Sequence, residues 1–451
     1  MNRIAEVPVD VRLGRVYEHG WQSWSPSAAY PVTATGERPR VRPDVMQTMC
    51  WRPGRSGPAR GFQGEGLLAV DPGDGTPVRL FAARDGRTGV PSIRALLDGD
   101  RLVIEADGSD ADGIEADGGV EEIRHTGTIE SALAGWADAF AARAGMPAPR
   151  AAPTVWCSWY HYFGGVTAGD VIENVAAIAD RELPVDVVQI DDGWQAEIGD
   201  WLDYSGPFAG LPALAGRIRD AGHRCGVWVA PFLAGERSAL ARDHPGWLMG
   251  DAGWNWHQGL RALDVTHPGA EAYLREVFTR LRELGFDYFK LDFLYAGALD
   301  GPRFADVPGL AAYRHGLDVI REATGSGAYL LGCGAPILPS AGLVDAMRVG
   351  PDVGLTTQPP SGDMSRPSQR AAATTTIARA WQHGRFWVND PDCLVARPAM
   401  EDREEWARTV ERFGGLRASS DRVLDLDEWG LETTRRLLAT TPPPSPFKPA
   451  G

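Results

Sequence analysis

Beyond residue 153 the apolar residues alternate between two patterns. Short, nearly continuous apolar runs predict strands at TVWCSWY (154–160), VDVVQID (185–191), RCGVWVAP (224–231), DYFKLDF (287–293), AYLLGCG (328–334), DAMRVG (345–350), RFWVND (385–390) and LRASS (416–420). Between them lie segments with helical periodicity. TAGDVIENVAAIADR offers Thr167 as an N-cap, and HPGAEAYLREVFTRLRELG puts Pro268 in the first turn and Gly285 just past the end. Eight strands, each paired with a helix, predict an α/β fold of the (β/α)8 TIM-barrel type. A doubly wound open sheet is the alternative. It is weakened because no GxGxxG or Walker-type loop follows any of these strands.

The first 130 residues read as all-β. GLLAV, VRLFAA and RLVIEA alternate with the turn signals DPGDGT (71–76), ARDGRTG (83–89) and LDGD (97–100), and such Asp-Gly pairs predict hairpins. The acidic stretch ADGSDADGIEADGG (106–119) has the look of a calcium loop. It lacks the glutamate that closes an EF-hand and any nonapeptide repeat, so a turn-rich surface loop is expected. A helical segment, ESALAGWADAFAARAG (130–145), then leads into the Pro/Ala linker MPAPRAAP, a domain boundary.

Composition narrows the function. A balance of 60 acidic against 45 basic residues, net −15, with no dense basic run, argues against nucleic acid and anionic membrane surfaces as partners. Five dispersed cysteines without CxxC spacing fit neither a disulfide framework nor a structural zinc site, and suit a reducing compartment. The opening MNRIAEVPVDVRLG has no apolar signal-peptide core, and no apolar run approaches 18 residues, so a cytoplasmic protein is expected. Sixteen tryptophans supply either core filling or flat platforms for sugar rings.

Polar residues gather at the ends of the predicted strands, where the open face of such a barrel carries its chemistry. They are Trp159 and Tyr160, Asp191 and Asp192, Trp228, Lys290 and Asp292, Cys333, Arg348 and Asp352, and Asn389 with Asp390 and Asp392. In a strand Lys290 and Asp292 share a face, as a structural ion pair or as a carboxylate kept ionised for nucleophilic attack. Asp191-Asp192-Gly193-Trp194 is compatible with a metal site, a strand-ending turn, or a binder of vicinal hydroxyls. No histidine neighbours these carboxylates and HxH and HExxH are absent, which disfavours a catalytic metal. Cys333 alone reads as a small buried hydrophobe, and Asp352 as a loop residue paired with Arg348. Together, two carboxylates on different strands among aromatics and a cation suit glycoside hydrolysis, with Asp292 ionised and Asp352, in a Gly-Pro loop, as the acid.

WCSWYHYF, VVQIDDGWQAEIGDW, GVWVAPF, HPGW, DYFKLDF, LLGCGAP, DAMRVGPD and FWVNDPDCL, in this order across about 155–421, resemble the α-galactosidases of glycoside hydrolase family 36, in the clan shared with family 27. EHGWQSWSP (18–26) resembles the QSW signature of that family's N-terminal β-sandwich. The resemblance implies an antiparallel β-sandwich with linker helix over 1–145 and the catalytic barrel over 146–435; residues 436–451 read as a Pro-rich tail, disordered by composition over TTPPPSPFKPAG, with no room for the family's usual C-terminal β-domain. It implies Asp292 as nucleophile and Asp352 as acid/base of a retaining double displacement. It also implies Asp191 and Asp192 as binders of the galactose 4- and 6-hydroxyls, Lys290 as a sugar contact, and Trp159 and Trp228 as pocket walls. Cys333 and Arg348 fall at pocket positions, with Asp390 and Asp392 as pocket support. WVAP stands where many members have WxEP, and CGAP where a glycine run is common, so substrate preference is less defined than chemistry. The implied partner is an α-galactoside oligosaccharide or glycoconjugate, with no cofactor and no metal. The alternatives are an α-N-acetylgalactosaminidase, a raffinose-synthase-type galactosyltransferase, or a non-catalytic sugar-binding relative. The sequence does not set the oligomeric state.

Overall fold

A computed structural model describes residues 1–107 and 119–447. Among them, eight parallel strands form a nearly closed barrel: β1 (Thr154–Cys157), β2 (Val187–Ile190), β3 (Arg224–Val229), β4 (Phe286–Leu291), β5 (Tyr329–Gly332), β6 (Ala346–Arg348), β7 (Val388–Asp390) and β8 (Arg417–Ser419). Neighbours pair in chain order, and β8 returns beside β1. The last gap, between β7 and β8, is spanned by Gly415 and Leu416 N–H groups donating to Asn389 O at 2.9 and 3.0 Å. All eight predicted strands are present, but each is shorter than its apolar run. Asp191 and Asp292, each one residue past its strand, leave the ladder to line the open face.

Helix ends follow the predicted chemistry. Thr167 caps Ala168–Asp180 in a capping box with Asp170, and Pro268 opens the helix Pro268–Glu283 with Gly285 at φ +98° beyond it. Thr128 likewise caps the linker helix Ile129–Arg143.

Ahead of the barrel, two antiparallel sheets pack face to face. One has the order Asn2–Pro8, Arg101–Ala106, Ser92–Asp98, Phe62–Glu65; the other runs Ala28–Pro31, Arg15–Glu18, Leu67–Asp71, Val78–Ala83, Val120–His125. Val7, Val16, Phe62, Val70, Phe81, Ile93 and Ile104 from both sheets fill the space between them. The LDGD turn closes a two-residue hairpin with Gly99 at φ +61°, as expected. The ARDGRTG turn does not close a hairpin: the strand before it belongs to one sheet and the strand after it to the other. A short helix, Pro43–Met49, also interrupts the predicted all-β region. The proposed calcium-like loop lies almost wholly outside the described residues.

The sandwich is docked on the barrel by the loop Gly20–Pro26. Ser23 N–H donates to Ala335 O, Ile337 N–H to Trp21 O, and Trp24 packs edge-on against Phe293 at 5.0 Å between centroids. The buried Arg379 grips this loop through the carbonyls of Gly20, Gln22, Ser23 and Ser25, and reaches back to Val349 O in the barrel. At the start of the C-terminal tail, Phe447 stacks on His383 at 4.0 Å, and Pro443 O faces the same imidazole. Among the described residues, no helix is long and apolar enough to cross a membrane.

Candidate active site

Asp292 lies one residue past β4, where Phe293 adopts φ +51° and turns the chain out of the barrel. Its carboxylate accepts from Trp228 Nε1 at 2.9 Å and from Phe293 N–H at 2.8 Å, one donor on each oxygen. The two bonds orient the carboxylate. Close packing enforces this turn: a Cβ on Gly334 would come within 3.0 Å of Phe293 N and 2.8 Å of Trp24, so only glycine, here at φ +54°, fits.

Of the two readings open for Lys290 and Asp292, the structural ion pair between them is not formed. Lys290 Nζ is 2.9 Å from Asp191 Oδ2, on the adjoining strand end, so the ion pair is with Asp191 and not with Asp292. Burial works to depress this ammonium, but Asp191, Cys157 and Asp292 outweigh it and hold the lysine well above its ordinary range. Asp191 Oδ2 also accepts from Gln189 Nε2 at 2.7 Å and from the Cys157 thiol at 3.4 Å. Beside it, Asp192 Oδ1 accepts from Gln195 Nε2 at 2.6 Å and Oδ2 from Trp256 Nε1 at 2.7 Å. Burial pushes the Asp192 carboxyl above its ordinary value, the two donors oppose this, and the nearby Asp191 and Asp292 carboxylates add to it.

A second cluster surrounds Arg348 at the end of β6. Its guanidinium reaches Asp352 at 3.1 Å, Asp390 at 3.1 Å and Asp392 at 2.7 Å, one cation among three carboxylates. Burial opposes its charge, and Asp392 and Asp390 more than restore it. Asp392, at the strained φ of +106°, is fully buried and accepts from Tyr160 OH, Val353 N–H and Cys393 N–H as well. Asp352 keeps a third of its side chain exposed and, among the described residues, has Arg348 as its one side-chain donor. Loss of hydration and the Asp392 charge push its carboxyl up to about 7. Burial raises Asp392 too, but its four donors favour the charged form, so the proton shared by this pair belongs on Asp352. The Gly-Pro loop is also tied down, through Val353 N–H on Asp392 and Ser368 N–H on Asp352 O.

One aromatic position differs from expectation. Trp159 sits not at a strand end but on a helical turn, Trp159–Tyr162, directly after β1, partly exposed and edge-on to Phe163. Trp228 is 2% exposed, and its indole N–H is held on Asp292. Cys333 is buried, with burial and then Asp292 pushing its thiol well above the ordinary range. Sequence reasoning passed over Trp256, Gln195, Gln189 and Arg379. A clue to Trp256 exists in the polar-aromatic run WNWHQ, but nothing local shows which carboxylate it meets.

The arrangement thus offers a well-held carboxylate, a partly exposed carboxyl that keeps its proton near neutrality, and two further carboxylates beside a lysine. A family model described as Melibiase matches residues 150–296. The α-galactosidase of Escherichia coli is 30% identical over 166 residues, and the myogenesis-regulating glycosidase of Mus musculus 28% over 137. These matches span 33% and 28% of this chain but only 23% and 19% of those proteins. Among solved structures, the α-galactosidase TtGalA from Thermus thermophilus in complex with stachyose superposes with a TM-score of 0.78 at 30% identity, covering 96% of this chain and 91% of that one. The GH36 α-galactosidase AgaA from Geobacillus stearothermophilus, at 12% identity and a TM-score of 0.62, covers 96% of this chain and 61% of its own, a likeness of fold. Identity at that level along nearly the whole Thermus chain, with the Melibiase match inside the barrel, places this chain in the α-galactosidase family of the glycoside hydrolase 36 type.

Proposed function

We propose that the protein is a retaining glycoside hydrolase that releases terminal α-D-galactose from α-galactosides. The observation that carries the reading is the contrast between two carboxyl groups: Asp292, held by two N–H donors, and Asp352, raised to about 7. Asp292 attacks the anomeric carbon while Asp352 gives its proton to the departing oxygen. Asp352 then takes a proton from the water that releases galactose from Asp292. Asp191 and Asp192, buried and pre-oriented, accept from the sugar hydroxyls, and Lys290 fixes Asp191. The mechanism needs no cofactor. The name of the Thermus relative and its complexes with stachyose and p-nitrophenyl α-D-galactopyranoside support this substrate class.

Proton NMR of p-nitrophenyl α-D-galactopyranoside turnover, with Asp292→Gly as control, tests the reading. α-Galactose appearing first, and only with the wild type, supports retention through Asp292. Early β-galactose overturns the nucleophile assignment. No turnover of the galactoside, with turnover of the N-acetylgalactosaminide instead, overturns the substrate.

A further inference from the structure

Between β3 and the helix Pro268–Glu283 the chain makes a β-hairpin, Leu248–Asn255 and Gln258–Leu263, whose tip reaches the pocket. The two-residue tip is Trp256-His257, with φ +47° and +57°. Turns of this hand are normally built from Asn-Gly or Gly-Gly, because a side chain in the left-handed region costs roughly 1–2 kcal/mol per residue. Two bulky residues here form an outlier that the surroundings must impose. They do: Asn255 Oδ1 accepts from Trp256 N–H at 2.9 Å, Arg237 donates to Trp256 O at 3.1 Å, and the indole lies 4.9 Å from the Phe293 ring. The indole also lies edge-on to Trp228 at 6.1 Å between centroids, and its N–H donates to Asp192 Oδ2 at 2.7 Å.

With Gln195 on its other oxygen, Asp192 has both oxygens bound and its carboxylate plane fixed. Each oxygen keeps one acceptor direction for an incoming hydroxyl. We propose that Trp256 is a positioning residue for substrate selection: the strained tip holds its indole N–H on Asp192 and so sets which sugar hydroxyl geometry the carboxylate accepts. The tip's strain is compensated by that contact, which explains why glycine is absent from a turn that favours it. This inference rests on the α-galactosidase reading above and adds a residue to its specificity.

A double-mutant cycle on p-nitrophenyl α-D-galactopyranoside tests it, with wild type, Trp256→Phe, Asp192→Asn and the double variant. Losing a charge-assisted hydrogen bond should raise KM roughly ten-fold or more in Trp256→Phe, with kcat affected less. The double variant should be little worse than Asp192→Asn alone. Trp256→His, which keeps a ring N–H, should recover part of the loss and serves if the phenylalanine variant folds poorly. Multiplicative effects of the two single substitutions, or a KM in Trp256→Phe equal to that of the wild type, overturn the inference while leaving the galactosidase reading intact. A wild type that turns over no α-galactoside removes both.

Discussion

Arg379 is a buried cation that, among the described residues, forms no salt bridge to a carboxylate. Five carbonyls surround it at 2.9–3.1 Å: Ser23 O and Val349 O on one terminal nitrogen, and Gly20 O, Gln22 O and Ser25 O on the other. Four of these belong to the sandwich loop and one to the strand end that carries Arg348, so one side chain ties the two layers together. Arg379→Met keeps much of the volume but leaves all five acceptors without this donor. An unsatisfied buried carbonyl costs about 1–3 kcal/mol. Relaxation of the loop makes the five losses far from additive, so a total of about 3–5 kcal/mol is expected, on the order of two or three unsatisfied carbonyls. For a chain of 451 residues unfolding as one unit, an unfolding entropy of about 2.1 cal/mol/K per residue makes this a fall in Tm of about 3–5 °C. Differential scanning calorimetry reads the fall. Limited proteolysis near Gly20–Pro26 reads the loosened loop. Arg379→Lys, with three donors for five acceptors, should lie between wild type and methionine. A methionine variant that melts within about 1 °C of wild type, with the loop equally protected, refutes the clamp.

Further outcomes follow from the same geometry. The raised carboxyl of Asp352 must be protonated to act, so kcat/KM should fall as pH rises through about 7, and a profile flat to pH 9 contradicts the assignment. Because this folded-state value lies above the ordinary 3.8, the folded protein binds the extra proton, and Asp352 alone makes stability decline from about pH 4 to about pH 7; Asp352→Asn removes that slope from a urea series. Trp228→Phe removes one N–H from Asp292 and should lower kcat/KM roughly 10- to 150-fold, as expected for a charged hydrogen bond of about 1.5–3 kcal/mol, and an unchanged value refutes that role. Burial lowers His19 to about 3 and His383 to about 4, so the unfolded chain takes up these protons first. Their stability is present above pH 6.5 and lost as pH falls towards 4; in His383→Phe, Tm should depend less on pH across that window.

Much of this architecture is legible along the chain. Buried parallel strands need unbroken apolar runs and their helices need a 3.6-residue period, so each element is written in its own few residues, as are the Thr167 cap and the Pro268 start. The polar residues at strand ends mark the chemical face because barrel geometry sends every such end to one side, and Asp292 and Asp352 both fall there. What tertiary structure alone decided is which of these residues meet. Lys290 chose Asp191, 99 positions away, over Asp292, two away; Trp256 found Asp192 across 64 positions; Arg379 found Ser23 across 356. Those contacts come from closing the barrel, folding a hairpin over it and docking the sandwich against it. Periodicity specifies which way a side chain faces within its own element, whereas a hydrogen bond between elements depends on how two such faces are brought to within 3 Å.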